Sequence, residues 1–423
     1  MSYCALAIVS GTVYNPRLMA IPKVNAISRV RVIWRALFTG LLPLFVLGHF
    51  GHHLLTALPI PLLPMIRSDF GLDYTQAGLV VSAFNMAYGI GQVPAGWITD
   101  RIGARNMLTI GILGIAVAGF LVGLSPTYMV LIVLMGLMGL AGGGYHPAAP
   151  PMIAAAVEPK KRGRALGLHM IGGSGSYFLA PIIAAGIATV WGWRGAFIGL
   201  AIPTAIFGVI FYIVLGRITA RKSTAGAAAV QTEAPAERGR LRRLVLFIVV
   251  STVTQAVMAS VLSFIPLFVV DHFAQSQEVA AALIAVYYVS GLWVGPLAGY
   301  FSDRVGTVPL VLGVCLFAGP AMFLLNVTPY GVTFAVLLMA LGMVTYVRMP
   351  VSEAYIVGQT SARNRSTVLG IYYFGSMEGS GVLTPVVGFL IDKFGFHTAF
   401  NVSGIAVLLV VAVCSIWLWG RRD

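Results

Sequence analysis

The chain has 423 residues, of which 58% are hydrophobic and only 9% charged, with a formal net charge of +14. A soluble domain carries roughly 25% charged residues, so this chain cannot cover its apolar surface in water. The composition excludes a soluble fold and requires lipid, and the distribution of the basic residues explains the surplus charge with no nucleic acid involved.

Residues 1–35 are expected to form a cytoplasmic arm bearing Arg17, Lys23, Arg29, Arg31 and Arg35. Its early apolar run has no basic segment before it and no clear cleavage pattern, so it does not read as a signal peptide. Apolar stretches then follow at 36–62, 75–98, 105–125, 128–157, 164–190, 195–216, 244–270, 279–301, 308–326, 330–358, 365–391 and 397–419. Each is near the roughly 20 residues that cross a bilayer as a helix, and they are numbered here as spans 1 to 12. Both termini and the loops after even-numbered spans fall on one side. That side then holds every Lys and Arg except Arg67, Arg194, Lys393 and Arg348, the last being inside span 10. By the positive-inside rule this is the cytoplasmic side of an inner (plasma) membrane, with both termini cytoplasmic.

Residues 217–243 interrupt the apolar pattern with Ala, Gln, Glu and Pro flanked by basic residues, as in a flexible linker. The segments on either side, 36–216 and 244–420, match at a constant offset of 203. Gly96, Asp100, Arg101 and Gly103 fall on Gly299, Asp303, Arg304 and Gly306. Pro147 falls on Pro350, Arg162 on Arg365, Gly172 on Gly375, and Ala196-Phe197 on Ala399-Phe400. The fold class is therefore an all-α membrane protein with twelve transmembrane helices in two pseudo-symmetric six-helix bundles. In such duplicated transporters the substrate site lies between the halves near the bilayer midplane.

The segment Gly96-Trp-Ile-Thr-Asp100-Arg101-Ile-Gly103-Ala-Arg105 resembles the signature loop between spans 2 and 3 of the major facilitator superfamily. A degenerate copy, Gly299-Tyr-Phe-Ser-Asp303-Arg304-Val-Gly306, lies between spans 8 and 9. The resemblance implies a gating role for Asp100, Arg101, Gly103, Arg105, Asp303 and Arg304. Ala104 departs from the family pattern, as does Thr307-Val308 in the second copy. Tyr145-His146-Pro147 in span 4 and the stretch from Ile171 to Ala185 in span 5 resemble the fosmidomycin-resistance, drug-efflux branch. His49 matches the first position of that branch's His-x-x-x-Asp, and His53 stands at its Asp position. Ala180-Pro181 with Ala184-Ala185 is a softened form of the Gly-Pro element of efflux members. The resemblance implies rocker-switch alternating access.

Charges inside a span are costly and face a cavity or a partner. Glu378 follows Arg365 by about 14 residues, roughly 20 Å into the membrane, and is expected to carry the coupled proton. Arg348 in span 10 is its expected switchable partner or an anion ligand, the alternative being a permanent pair that joins two helices. Glu353, nearer the cytoplasmic end of span 10, is expected at a gate. In span 1, His49, His52, His53 and Thr56 share one helical face. Three readings compete for it: a hydrogen-bonding cavity wall, a proton relay, or a metal site built on the pair spaced by four. A membrane metal enzyme would need more ligands than this chain offers, since His272 and His397 fall in outside loops and only His146 and His169 are left.

His146-Pro147 and Met349-Pro350 occupy corresponding places, where proline should kink each helix. His146 then faces the site, or else it only fixes its kink. The glycine-rich strings Gly139 to Gly144 and Gly172 to Gly175 read as packing surfaces, and Cys315 and Cys414 as apolar filler. With no nucleotide motif, an ion gradient is the expected energy source. The expected function is proton-coupled secondary transport of a small organic compound, with efflux by proton antiport favoured and proton-coupled uptake of an organic anion such as a carboxylate as the alternative. Glu378, His49 and His53 are assigned to coupling; Arg348, His146, His52, Tyr177, Tyr346 and Tyr373 to substrate. No cofactor or metal is assigned. The partners are protons, a small molecule and the bilayer, with a functional monomer.

Overall fold

The computed structural model describes residues 41–157, 162–220, 240–360 and 365–418 and is helical apart from short connections. The arm at 1–35, most of the linker and Cys4 lie outside the described residues. Span 1 is Leu41–Thr56, span 2 is Tyr74–Ile102, span 3 is Ala104–Gly123, and a short helix, Leu63–Phe70, joins spans 1 and 2. Span 4 is the pair Tyr128–Gly142 and Tyr145–Ala156, and spans 5 and 6 form one helix, Arg162–Ala220. Span 7 is Arg240–Asp271, span 8 is Gln277–Val289 with Val294–Val305, span 9 is Thr307–Leu325 and span 10 is Val332–Gln359. Spans 11 and 12 are merged in Arg365–Leu418.

Seven of these helices are each long and apolar enough to cross a membrane, and the bent pair in span 8 makes an eighth. The two longest of the seven hold 54 and 51 residues, far more than one crossing needs. Each turns back at a glycine with positive φ, Gly192 at 64° and Gly395 at 77°. These two positions are themselves 203 apart. With each long helix counted as two crossings, and spans 1 and 2 added, the fold has the twelve expected from sequence. The signature loops repeat in the same way: Gly103 (φ 84°) and Gly306 (φ 90°) each donate a backbone N–H to the carbonyl four residues back. The backbone there needs the left-handed region that glycine enters freely.

Small residues bring spans together. A Cβ on Gly143 would fall 2.7 Å from the backbone of Gly91, and one on Gly173 would fall 2.6 Å from the His49 ring. The glycine strings are thus packing surfaces, as read from sequence. Large apolar side chains such as Val133, Ile206, Leu409 and Ile416 are exposed on the outer surface, where lipid would solvate them. Cys315 and Cys414 are buried free thiols.

Span 4 breaks at Gly143-Gly144, just ahead of His146-Pro147, whereas span 10 runs through Pro350 as one helix. The larger break is in span 8, where a 3-10 turn at Ser290–Leu292 introduces a 55° bend. A Ser-Gly pair tolerates such a break, and Tyr346 packs into the space left by Gly291.

Candidate functional site

In the C-terminal half Arg348 is 2% exposed despite its charge. Its Nη1 donates to the Ser251 carbonyl at 3.0 Å, to Ser251 Oγ at 2.7 Å and to Tyr372 Oη at 2.9 Å. Nη2 donates to Gln255 Oε1 at 2.5 Å, and Nε has no partner. All these acceptors are neutral, and the carboxyl its charge acts on is Glu353, on the same helix. Glu353, one turn on, is hydrogen-bonded by Tyr373, and its Oε1 has no partner.

In the N-terminal half the histidine face of span 1 packs into an aromatic cluster. His49 Nδ1 donates to the His169 carbonyl at 2.9 Å, and His169 Nδ1 donates to the Phe45 carbonyl at 3.0 Å. Because a carbonyl only accepts, both rings are protonated on Nδ1 and His49 Nε2 is left as an unpartnered, buried lone pair. His52 Nε2 meets Tyr88 Oη at 3.1 Å, and His53 Nδ1 meets Thr56 Oγ1 at 2.8 Å. The rings of His49 and His169 stack at 4.2 Å, and those of His52 and Tyr145 at 4.4 Å.

The two clusters occupy equivalent places. Adding 203 carries His52 to Gln255, Tyr145 to Arg348, His169 to Tyr372 and Gly48 to Ser251. A cavity of about 350 Å³ lies between them, with Tyr88, Gln92, His146 and His169 on one wall and Gln255, Arg348, Glu353, Tyr372 and Tyr373 on the other.

Of the residues assigned to substrate from sequence, Arg348, His146 and Tyr373 line this cavity. His52 is buried behind the wall. Tyr177 packs between His53 and Tyr288, and Tyr346 sits against Gly291. Glu353, expected at a gate, lines the cavity. The expected pairing of Arg348 with Glu378 is not present. Arg348 turns to spans 7 and 11, while Glu378 faces span 2, meeting the Ile90 backbone where Gly89 makes room. Its Oε1 has no hydrogen-bond partner. Span 11 presents Tyr372 toward span 10 and Glu378 toward span 2, so the two charges belong to different contacts. Sequence reasoning did not assign Ser251, Gln255, Tyr88, Gln92 or His169. The offset that pairs the halves would have flagged Gln255 once His52 was noted.

Among the signature residues, Arg101 lies over the Trp97 ring at 3.2 Å and Arg304 over the equivalent Tyr300 ring at 4.2 Å. Arg105 Nε donates to the Tyr212 carbonyl at 3.1 Å, tying span 3 to span 6 within one half. The side chain of Asp100 lies outside the described residues.

At the opposite end the halves are fastened by contacts the sequence did not announce. Arg67 and Asp271 pair at 2.8 Å, and Tyr74 Oη donates to Asp271 at 2.6 Å. Asp392 accepts the backbone N–H groups of Tyr74 and Thr75, both at 2.9 Å, and so caps the N-terminus of span 2 from the other half. From there spans 2 and 11 stay in contact through Ser82 with the Gly381 carbonyl, and Asn85 with Ser380 at 3.5 Å, down to Gly89 and Glu378. Beyond that level, toward the signature loops, lie the cavity residues Gln92 and Met377.

Comparison with known proteins fits this architecture. The profile of the Major Facilitator Superfamily matches residues 45–281 and 247–423. A probable sulfoacetate transporter from Cupriavidus necator is 27% identical over 386 residues, 84% of this chain and 87% of that protein. A multidrug resistance protein, MdtG, from Dickeya zeae is 25% identical over 377 residues, 86% of this chain and 91% of that protein. A bacterial homolog of the human lysosomal transporter Spinster, solved inward-facing and occupied, superposes with a TM-score of 0.69 at 15% identity, covering 92% of this chain and 96% of that one. The chain is a multi-pass membrane transporter of small organic substrates and belongs to the Major Facilitator Superfamily.

Proposed function

We propose that the chain carries a small organic anion, a carboxylate or sulfonate, across the inner membrane in company with protons. The observation that carries this reading is Arg348: a buried guanidinium on the cavity wall whose hydrogen-bond acceptors are all neutral. A fixed cation in a low-dielectric setting attracts an anionic oxygen strongly, and guanidinium matches a carboxylate or sulfonate by paired N–H donors. The similarity to a sulfoacetate transporter points the same way.

Proton coupling rests on two carboxyls, Glu378 and Glu353, each with an oxygen that lacks a hydrogen-bond partner. With the signature loops on the cytoplasmic side, the fastened end is the outside and the cavity belongs to an inward-facing state. The membrane potential sets what each direction would need. An anion entering a negative interior works against about 2.3 kcal/mol per charge per 100 mV, which protons moving with it cancel. For an anionic cargo we favour symport into the cell, the direction that needs proton coupling, in line with the similarity to a sulfoacetate transporter. Efflux by proton antiport is the second reading, favoured by the similarity to a multidrug resistance protein and by Ala180-Pro181 in span 5.

The test is proteoliposome uptake of radiolabelled sulfoacetate and short dicarboxylates under an imposed pH gradient. Accumulation driven by an acidic exterior, and lost in Arg348→Ala, supports the reading. Transport of neutral and cationic drugs with no anion preference would replace it with the efflux reading.

A further inference from the structure

The geometry points to a binding site for a divalent transition-metal ion of the zinc class on His49, His53 and His146. One ring nitrogen from each of these residues lies within 4.8 Å of the other two. The ring centroids form a nearly equilateral triangle: 4.8 Å from His49 to His53, 5.4 Å from His49 to His146 and 5.3 Å from His53 to His146. Zn–N bonds of about 2.0–2.1 Å in a tetrahedron place ligand nitrogens about 3.4 Å apart, so modest ring rotations close the triangle.

The hydrogen bonds around these rings suit a metal better than packing alone. His49 spends its Nδ1 proton on the His169 carbonyl, which fixes the tautomer and presents the Nε2 lone pair. An imidazole whose second nitrogen donates to a backbone carbonyl is the usual outer support of a metal ligand. That Nε2 is buried and has no hydrogen-bond partner, an arrangement costly to leave unmet in a protein interior. His53 is likewise held at Nδ1 by Thr56 Oγ1 at 2.8 Å. Gly173 lets the His49 ring pack directly against its backbone, so close that a Cβ there would clash with the ring. His49 and His53 are one helical turn apart, the spacing that lets two imidazoles reach one ion. The third ligand comes from span 4, brought in by the break at Gly143-Gly144 that seats Tyr145-His146 at a helix start. Three imidazoles with no thiolate or carboxylate favour zinc, copper, nickel or cobalt over magnesium or calcium. His146 also lines the cavity, which leaves the fourth position to a water or to an oxygen from the cavity.

Cobalt(II) titration of the detergent-purified full chain, made without a polyhistidine tag, tests this. The expected result is one Co²⁺ per chain with the intense visible bands of a tetrahedral site, displaced by Zn²⁺. His53→Ala and His146→Gln should each weaken binding by roughly 100-fold or more. His272→Ala, in the outside histidine pair with His397, should leave binding unchanged. X-ray absorption on the Zn²⁺-loaded native protein should count three imidazoles, a readout that needs no variant to fold. Absence of tetrahedral bands, fewer than three imidazoles, or loss of binding in His272→Ala would overturn the assignment.

Discussion

The two halves hold the same site built twice, from different chemistry. At equivalent places the N-terminal half sets His52, Tyr145 and His169, and the C-terminal half sets Gln255, Arg348 and Tyr372. The helices are positioned alike, down to the turns at Gly192 and Gly395. The first cluster is formally neutral, bound by ring stacking and by bonds to backbone carbonyls. The second centres on one permanent cation held by four hydrogen bonds from the guanidinium. Duplication preserved the frame and let the walls diverge. In the metal-free protein, a cavity with one neutral, lone-pair-bearing wall and one cationic wall orients an elongated anion, which two identical walls would not do.

The largest effect should come from removing the asymmetry. Arg348→Ala should lower anion transport at least about 100-fold, the loss of two or more charge-assisted hydrogen bonds at roughly 1.5–3 kcal/mol each. Arg348→Lys keeps the charge but loses the fork, so a partial recovery of uptake rate is expected. An equal loss for a neutral analogue would make Arg348 a structural residue and dissolve the comparison.

Glu378→Gln separates coupling from binding. It stands on neither wall but on the contact of span 11 with span 2. Pre-loaded proteoliposomes should still exchange labelled for unlabelled anion, while accumulation against a gradient is lost. If accumulation survives, the proton is carried elsewhere, and Glu353→Gln becomes the informative variant.

A smaller effect probes the frame itself. Gly173→Ala places a methyl 2.6 Å from the His49 ring, so overpacking should cost about 1–3 kcal/mol and lower the melting temperature. The equivalent C-terminal residue is Ser376, which already carries a Cβ, and Ser376→Ala should change stability by less than about 1 kcal/mol. Equal melting shifts for the two would mean the walls are packed alike. A further test lies far from both walls. Asp392→Asn removes the charge that caps span 2 and turns one of its two accepting oxygens into an NH2 that cannot accept, weakening the fastened end by about 1–3 kcal/mol. A cysteine placed in the cavity should then react faster with an impermeant maleimide added outside, and an unchanged rate would remove Asp392 from the gate.

Much of the fold was legible because lipid and duplication leave strong marks. Long apolar stretches and the constant offset set the spans, and Gly103 and Gly306 marked the turns that the backbone takes there. The site was legible where a residue was improbable in lipid, as with Arg348, and was missed where it was ordinary. Gln255 looks like any polar residue of a span, and only its register with His52 singles it out. The Arg348–Glu378 pairing failed because neighbouring spans in sequence need not turn their charged faces toward each other. Asp271 and Asp392 resemble solvated charges at span ends, and nothing local tells that each reaches across to the other half.

The most direct test of the central claim uses proteoliposomes with a pH-sensitive dye trapped inside. Addition of sulfoacetate or a short dicarboxylate outside should acidify the lumen as anion and protons enter together, with no response in Arg348→Ala. Acidification of equal size in Arg348→Ala, or a lumen that turns alkaline on adding the anion, would contradict the account.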